Sequence, residues 1–346
     1  MYEITQKLKE LTPYDPIQGD YKVRLDANES YIKISDEQIK SAVSGLALNR
    51  YPDPYACETV KAFADLYDIN PDNVTAGNGS DELISIITAC FLQKGEKILC
   101  FSHDFSMYAF YSALYELKVY IMEKELDLTI NVDKAIETAN RENVRAILFS
   151  NPCNPTSLGL KKAEVKRLIE STNALVVLDE AYMDFWDEKE SFLKEAADYD
   201  NLIVLKTCSK ALAMAGIRLG FAIANKTITE KLRAAKSPYN VNVVTQSIAT
   251  YFLKDKTACK ERIEAVKASA KSLYEEITAL DLPYFERIYT PVTNFVFIKT
   301  DYAEQIFKFM LEKSIAIRNM GAFIRISAGT KEENAAVIKA LKKFKA

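Results

Sequence analysis

The chain has 346 residues, of which 49% are hydrophobic and 27% charged, and its formal net charge is -3. This length predicts about two domains, and this composition is typical of a soluble globular protein. This net charge gives no basic field that would attract nucleic acid or an anionic membrane. The N-terminus has no signal peptide pattern, and the longest apolar segments are far shorter than the ~18 residues of a membrane span. We therefore expect a cytoplasmic protein.

The six cysteines and the single histidine restrict the chemistry that the chain can perform. No two cysteines have the CxxC spacing of a zinc or redox motif, so we expect reduced, scattered thiols. His103 alone cannot build a multi-histidine metal site, and no GxSxG motif supports a Ser-His-Asp hydrolase. We interpret His103 as a loop or pocket-rim residue. The chain must therefore use Lys, Asp, Tyr and Arg, or a cofactor, and we expect no metal site.

Short apolar segments alternate with helical segments between residues 74 and 224. The predicted strands are 97–101, 119–122, 146–149, 175–178, 202–205 and 219–222, and helices are predicted at 81–92 and 161–170. Strands that are apolar on both faces and alternate with helices are typical of a parallel sheet covered on both sides. The pattern predicts an α/β fold, in which a large domain has a mostly parallel sheet flanked by helices.

The pattern changes after about residue 228. Charged helices are predicted at 229–235, 255–280, 301–313 and 331–344, with strands at 295–298 and 323–326 between them. This pattern predicts a smaller α+β domain, on which the strand-like segment 22–25 packs. We expect an N-terminal segment 1–44, a large domain 45–240 and a small domain 241–346, joined by a continuous helix or a tight turn.

Ligands in open α/β sheets bind beyond the carboxyl ends of the strands, so the residues there are candidate site residues. Segment 76–82 places two glycines before an apolar helix, which can form a phosphate cradle of backbone N–H groups. Its spacing is neither the GxGxxG of dinucleotide folds nor a P-loop. Asp81 can equally serve as a first-turn acid that interacts favourably with the helix dipole.

Three further candidate side chains follow predicted strands, and a fourth, Arg218, follows Lys210 by a few residues. Asn154 lies in a turn with two Asn-Pro steps, where it can hydrogen-bond a ligand oxygen, whereas Asn151 is interpreted as a turn residue. Asp179 can hold the proton of a pyridine nitrogen, cap a helix or bind Mg²⁺. Lys210 can have a desolvated, nucleophilic amine or be a surface lysine. Arg218 can complete a phosphate site or form a structural ion pair.

These segments together, in this order, resemble the fold-type I pyridoxal-phosphate (PLP) enzymes of the aspartate aminotransferase superfamily. Within it, the chain is similar to the histidinol-phosphate aminotransferase family. The segments that carry the resemblance span nearly the whole chain and are 25–29, 50–53, 77–82, 105–108, 154–156, 179–182, 209–211, 216–220 and 324–327.

The resemblance implies a role for each residue around the cofactor ring. Lys210 would attach pyridoxal 5'-phosphate covalently and later move a proton, and Asp179 would pair with the pyridine nitrogen. Asn154 and Tyr182 would hydrogen-bond the 3' oxygen of the cofactor. Phe105 would stack on the ring.

The resemblance also implies the phosphate and substrate contacts. The N–H groups of Ser80 and Asp81, with Thr207 or Ser209 and Arg218, would bind the cofactor phosphate. Arg325 would bind the anionic group of the substrate, and Asn28 and Glu29 would lie near the substrate entrance. Tyr51 would reach the active site of a neighbouring subunit, which implies a homodimer.

The chain departs from relatives in two segments. Residues 102–104 read Ser-His-Asp where relatives usually have a proline-containing stretch. Arg318 and Arg325 are separated by a shorter loop than in relatives. Arg318 is therefore either the second ligand of a substrate phosphate or a surface arginine.

The first functional hypothesis is transamination between histidinol phosphate and 2-oxoglutarate in histidine biosynthesis. An aromatic amino acid aminotransferase is a close variant, and a PLP-dependent phosphothreonine decarboxylase of cobalamin biosynthesis shares the motifs. A non-enzymatic PLP-binding protein is disfavoured because no basic helix-turn-helix stands out. A nucleotide-binding oxidoreductase is disfavoured by the absent GxGxxG. The expected partners are a small-molecule amino donor and a 2-oxo acid.

Overall fold

A computed structural model describes residues 2–9, 11 and 16–345 of the chain. The helices are α1 (Gln6–Lys9), α2 (Asp36–Ala42), α3 (Cys57–Tyr67), α4 (Gly79–Cys90), α5 (Met107–Leu114), α6 (Val132–Arg141), α7 (Lys162–Glu170), α8 (Lys226–Ala235), α9 (Val243–Leu253), α10 (Lys256–Thr278), α11 (Ala303–Glu312) and α12 (Lys331–Leu341). The strands are β1 (Val23–Arg24), β2 (Val74–Gly77), β3 (Lys97–Phe101), β4 (Lys118–Met122), β5 (Ala146–Ser150), β6 (Leu175–Asp179), β7 (Leu202–Thr207), β8 (Gly220–Ile223), β9 (Arg287–Tyr289), β10 (Phe295–Lys299), β11 (Ile315–Ala316), β12 (Arg318–Asn319) and β13 (Phe323–Ser327). Among these described helices, none has the length and apolar composition needed to cross a membrane.

The larger sheet has the strand order β2-β8-β7-β6-β5-β3-β4. Neighbouring strands from β4 to β7 run parallel, whereas β8 runs antiparallel to both β7 and β2. The predicted mostly parallel α/β sheet is therefore confirmed. The reversal of β8 follows from its connection, because the short segment between β7 and β8 contains no crossover helix of the kind that parallel neighbours need.

The central strands of this sheet are buried on both faces. In β5, Ile147 and Phe149 pack into one hydrophobic core while Ala146 and Leu148 pack into the core on the opposite face. Successive side chains of a strand point to opposite faces, so a strand covered on both sides must be apolar throughout. This requirement makes the carboxyl ends of the strands the first positions where polar side chains occur.

A smaller antiparallel sheet has the strand order β12-β13-β10-β9 and packs with α10, α11 and α12 around a third core. The predicted α+β unit is thereby confirmed, with β10 and β13 at the predicted strand positions. The N-terminal strand β1 pairs in parallel with β11, with Val23 opposite Ile315. The domain boundaries at 44/45 and 240/241 stay a prediction.

The two units meet in a tight junction next to the carboxyl ends of the large sheet. Helix α9 packs against α3 and contributes Phe252 and Leu253 to the large core, and α10 begins at Lys256 with Asp255 as its N-cap. A fourth core joins Tyr182, which follows β6, to Phe295 of β10, with ring centroids 5.5 Å apart. Residues after β6 are therefore held directly against the smaller sheet.

Candidate active site

One cavity of about 740 Å³ lies beyond the carboxyl ends of β5, β6 and β7 and is lined by both units. Fourteen of the fifteen residues with predicted roles line it, and Tyr51 does not. Those that line it are Asn28, Glu29, Ser80, Asp81, Phe105, Asn154, Asp179, Tyr182, Thr207, Ser209, Lys210, Arg218, Arg318 and Arg325.

Asp179 ends β6, and only 4% of its surface is exposed. The Tyr108 hydroxyl donates to its Oδ2 at 2.8 Å, and the Ala181 N–H donates to its Oδ1 at 3.0 Å. Burial raises the pKa of Asp179 to about 6, although these two hydrogen bonds favour the ionised form. A buried carboxylate of this kind is stabilised by a cation such as a protonated pyridine nitrogen. Among residues 2–9, 11 and 16–345, no cluster of acidic, Cys or His side chains is arranged to hold a metal ion.

Lys210 follows β7 and brings a primary amine into the cavity. Its Nζ donates to the Ala27 carbonyl at 3.2 Å and lies 6.0 Å from the centroid of the Tyr182 ring. The nearby Lys206 is different, because its Nζ pairs with Asp184 Oδ2 at 2.6 Å in the protein interior. Lys210 is thus the lysine of this segment that is placed to react with a carbonyl compound in the cavity.

The N-terminus of α4 and the start of β8 form a close-packed cradle. A Cβ added at Gly220 would lie 2.5 Å from the Ser80 nitrogen, so only glycine fits there. Gly79 has φ +81°, and Arg218 has φ +53°. The Arg218 Nη2 lies 3.2 Å from Asp81 Oδ2. N–H groups at a helix N-terminus beside a guanidinium bind phosphate oxygens well.

Two hydroxyl groups extend this cradle towards the reactive amine. Thr207 Oγ1 lies 3.0 Å from Ser209 Oγ, and Arg218 Nη1 lies 3.4 Å from the same Ser209 oxygen. The cavity therefore combines a phosphate cradle, the amine of Lys210 and the buried carboxylate of Asp179. These three groups fit the phosphate, the aldehyde and the ring nitrogen of pyridoxal phosphate.

Phe105 lines the cavity from the turn that precedes α5, with its ring edge-on to Tyr108 at 5.4 Å. The Asp104 carboxylate accepts hydrogen bonds from the N–H groups of Phe105 at 2.7 Å and Ser150 at 3.3 Å, and from the Ser150 hydroxyl. Burial raises the pKa of Asp104, while Lys124 acts in the opposite direction. Segment 102–104 thus uses the half-buried Asp104 carboxylate to connect the segment after β3 with the end of β5.

Asn151 and Asn154 have different surroundings within one turn, in which both Asn-Pro bonds are cis. The Asn151 side chain bonds the Leu160 backbone in both directions, at 3.1 and 2.8 Å, as its interpretation as a turn residue predicted. The Asn154 Oδ1 instead accepts from Arg325 Nη1 at 2.6 Å. Asn154 therefore lies between the ends of the large-sheet strands and the smaller sheet.

Arg318 and Arg325 are direct cross-strand partners in the β12–β13 hairpin. Residues opposite each other on antiparallel strands have side chains on the same face, and both arginines line the cavity. Arg325 is buried, and its Nη2 donates to the Asp26 carbonyl at 2.7 Å. The short connection left open whether Arg318 is a ligand or a surface arginine. In the structure, this connection forms the hairpin that places Arg318 beside Arg325.

Tyr51 lies away from the cavity, on the surface. It is 82% exposed and stacks on Tyr239 with ring centroids 4.6 Å apart. His103 lies in the loop after β3, where its ring meets Phe323 edge-on at 5.4 Å. The six cysteines, from Cys57 to Cys259, are free thiols.

Two residues of the site were missed by sequence reasoning. Tyr108 lies in the segment 105–108 that carries the resemblance, but only Phe105 of that segment had been assigned a role. Asp104 precedes Phe105 in a segment where an acid of the site was not expected. The available signal for Asp104 was an acid three residues after the predicted apolar strand 97–101, a less direct form of the signal that pointed to Asp179.

The family described as aminotransferase class I and II matches residues 20–341. Among curated relatives, histidinol-phosphate aminotransferase of Clostridium novyi is 40% identical, with 97% of this chain and 95% of the relative covered. The enzyme of the same name from Clostridium kluyveri is 39% identical, with 98% and 97% covered.

Solved structures of this fold superimpose closely on the chain. Histidinol-phosphate aminotransferase of Sinorhizobium meliloti, in complex with pyridoxal-5'-phosphate, superimposes with a TM-score of 0.88 at 21% identity, covering 99% of this chain and 97% of that one. A Thermus thermophilus aspartate aminotransferase variant superimposes with a TM-score of 0.81 at 18% identity, covering 99% of both chains. Together with the family match and the close relatives, the site geometry leads to one conclusion: the chain belongs to the class I and II aminotransferases, as a pyridoxal-phosphate-dependent enzyme of the histidinol-phosphate aminotransferase family.

Proposed function

We propose that this enzyme transfers the amino group of histidinol phosphate to 2-oxoglutarate. The observation that carries the proposal is the Arg318–Arg325 pair on one face of the β12–β13 hairpin, at the edge of the cavity. Two like charges placed directly opposite each other repel, so a doubly charged phosphate between them is stabilising. The curated relatives with 39% and 40% identity carry the name histidinol-phosphate aminotransferase.

Bound pyridoxal phosphate supplies a ring that delocalises the negative charge left when a proton leaves the substrate Cα. The residues of the chain provide the proton transfer and the contacts that hold the cofactor. We assign the proton transfer at Cα to the Lys210 amine, as general base and acid. Asp179 would hold the proton on the ring nitrogen, while the Tyr108 hydroxyl and the Ala181 N–H keep the Asp179 carboxylate oriented.

We assign the remaining contacts to residues that line the cavity. The N–H groups of Ser80 and Asp81, with Thr207, Ser209 and Arg218, would bind the cofactor phosphate. Phe105 would pack on the ring, and Asn154 and Tyr182 would donate to its 3' oxygen. Glu29 lies exposed at the cavity mouth, where it contacts the incoming amino donor.

We further propose that the enzyme acts as a cytoplasmic homodimer in which Tyr51 enters the site of the second copy. Tyr51 and the neighbouring Tyr55 are both more than half exposed, and Tyr51 rests on Tyr239. An exposed stacked aromatic pair of this size is typical of a surface that a partner covers.

The test is a transaminase assay of the purified holoenzyme with histidinol phosphate, histidinol, phenylalanine, tyrosine, aspartate and phosphothreonine. We expect histidinol phosphate to be the preferred donor, and histidinol, which lacks the phosphate, to lose at least about 100-fold in kcat/KM. Preference for phenylalanine or tyrosine would instead assign the enzyme to aromatic amino acids. Release of CO₂ from phosphothreonine without a 2-oxo acid product would assign it to decarboxylation.

Arg318→Gln separates the phosphate contact from the rest of the site. We expect KM for histidinol phosphate to rise about 10- to 100-fold, because a charge-assisted hydrogen bond is lost, while kcat changes little. The aromatic donors have no phosphate and provide the internal control. An equal loss for all donors would show that Arg318 does not contact a substrate phosphate.

A further inference from the structure

Asn28 is the residue at which the N-terminal segment passes between the two units. It is 1% exposed and adopts a left-handed backbone with φ +54°. Its N–H donates to Ser327 Oγ at 2.9 Å, and its carbonyl accepts from Asn294 Nδ2 at 3.0 Å. A non-glycine residue held in this conformation needs surroundings that determine it, and these bonds supply them.

The donor and acceptor atoms around Asn28 are set by Arg325. A guanidinium can only donate, so the Asn154 atom 2.6 Å from Arg325 Nη1 is its oxygen. The Asn28 side-chain atom 3.5 Å from that oxygen is assigned as the nitrogen, which can donate to it. The same nitrogen lies 2.9 Å from Tyr182 Oη. The other side-chain atom, Oδ1, correspondingly accepts from Ser327 Oγ at 3.1 Å.

This assignment determines the direction of the Tyr182 hydroxyl. Since Tyr182 Oη accepts a hydrogen bond from Asn28 Nδ2, its own hydrogen points elsewhere, and Tyr182 lines the cavity. A hydroxyl that accepts one hydrogen bond is polarised and becomes a stronger donor. The Asn154 amide likewise has its oxygen directed at Arg325, which leaves its NH₂ group as the donor for a ligand.

We propose that Asn28 is a positioning residue that makes Tyr182 a hydrogen-bond donor to the 3' oxygen of the bound cofactor, so that this oxygen is held as an anion. Asn28 does this through its amide, without contacting the substrate. The proposal rests on the pyridoxal phosphate site and is independent of which amino donor the enzyme uses.

The test uses Asn28→Asp, which keeps the size of the side chain but replaces the donor with an acceptor. The Tyr182 hydrogen is then drawn to the new carboxylate and away from the cofactor oxygen. We measure the visible absorbance of the holoenzyme as a function of pH, without any substrate, and determine the pH at the midpoint of the absorbance change. A lost donor disfavours the anionic oxygen, so the midpoint is expected to rise by about one pH unit.

The shift is measured again on the Tyr182→Phe background, which separates the hydroxyl from the added charge. If Asn28 acts through Tyr182, Asn28→Asp shifts the midpoint by less than half as much when the hydroxyl is absent. Equal shifts on both backgrounds would overturn the proposal, and so would a midpoint that does not move in Asn28→Asp alone.

Asn334→Ala is the matched control. It removes a buried amide that bonds the Gly329 N–H and the Ser269 hydroxyl, outside the cavity lining and outside the bonds that hold Asn28, so the midpoint is expected to stay within about 0.2 units of wild type. Thermal unfolding of each apoprotein checks folding. A wild-type protein without visible absorbance after reconstitution would reject pyridoxal phosphate and this proposal together. Failure of histidinol phosphate in the donor assay would leave this test intact.

Discussion

At the scale of single residues, Tyr108 is the side chain that most directly controls Asp179. Its hydroxyl donates to Oδ2 of a carboxylate whose pKa burial raises to about 6. Tyr108 thereby opposes the effect of burial and extends the pH range in which Asp179 is ionised. Both residues are buried, so solvent cannot replace the bond.

We therefore expect Tyr108→Phe to raise the pKa of Asp179 further. The acidic limb of the pH profile of kcat/KM then moves up by about one unit, because catalysis needs the carboxylate. Tyr115→Phe is the control, since Tyr115 bonds Ser85 and not Asp179. An acidic limb that moves equally in both variants would contradict the assignment.

A second buried acid, Glu180, follows Asp179 and lies outside the cavity. It accepts from the Ser191 hydroxyl at 2.5 Å and the Phe192 N–H at 2.7 Å, and burial raises its pKa to about 7. An exposed glutamate has a pKa of about 4.3. Between these values the folded state binds more protons than the unfolded state, so the free energy of unfolding falls as pH rises through this window.

Glu180→Gln is expected to remove that part of the pH dependence, on the order of 3 kcal/mol between pH about 4.5 and 7. Urea unfolding of the apoprotein at several pH values measures it. The residual slope belongs to groups such as Asp179, whose pKa is raised in the same direction. Glu170→Gln, at the exposed end of α7, is the control and should keep the wild-type change of the free energy of unfolding with pH. If Glu170→Gln removed as much of this pH dependence as Glu180→Gln, burial would not be its cause.

Three of the residues found from the sequence, Asp179, Lys210 and Asn154, have a common property: each lies at or after the end of an apolar strand, where the core ends. Tyr108 lies instead on a helix with mostly apolar neighbours, where nothing in the pattern separates it from a core aromatic. The cross-strand position of Arg318 depends on hairpin register, which the spacing to Arg325 alone does not determine.

At the scale of secondary-structure elements, the cradle depends on how closely β8 approaches the start of α4. Gly220→Ala adds a Cβ that would meet the Ser80 nitrogen at 2.5 Å. Backbone atoms must then move, at a cost of about 1–3 kcal/mol. We expect cofactor affinity to fall at least about 10-fold in a titration of the apoprotein.

Gly216→Ala is the matched control for this substitution, because nothing lies within 4 Å of a Cβ there. It carries the same chemical change in the neighbouring turn of the cavity lining. Comparable losses of affinity in both variants would show that the close approach at Gly220 is unimportant.

The predictability of each element follows from its burial. The central strands are apolar on both faces and were predicted within two residues. The direction of β8 was not predicted, because its residues fit either orientation. The signal lay in the short connection between the predicted strands 202–205 and 219–222, which has no crossover helix and so favours an antiparallel neighbour. Helix α5 was not predicted, since its aromatic residues give little contrast between a buried and an exposed face.

At the scale of the whole molecule, the proposed dimer has a direct test. Tyr51→Ala and Lys210→Ala are each expected to have little or no activity. In a mixture reassembled from both, a mixed dimer has one site with both residues intact, since Lys210 and Tyr51 of that site come from different chains. Equal amounts should restore about one quarter of wild-type activity.

If Tyr51 served the site of its own chain, the mixed dimer would have no intact site and the mixture would stay inactive. Size-exclusion chromatography of each variant confirms that assembly is unchanged. Thr250→Ala provides a control, because Thr250 bonds Thr59 between α9 and α3 and does not line the cavity; mixed with Lys210→Ala, it should retain about half of the wild-type activity.

The pairing of β2 with β8 also sets an order of events during protein synthesis. It joins Gly77 to Gly220, and the cradle exists only when both strands are in place. A chain growing from the ribosome therefore contains Ser80 long before it contains the strand that completes the phosphate site. Because such distant pairings form late, the nascent enzyme cannot capture its cofactor until almost the whole large sheet has been made.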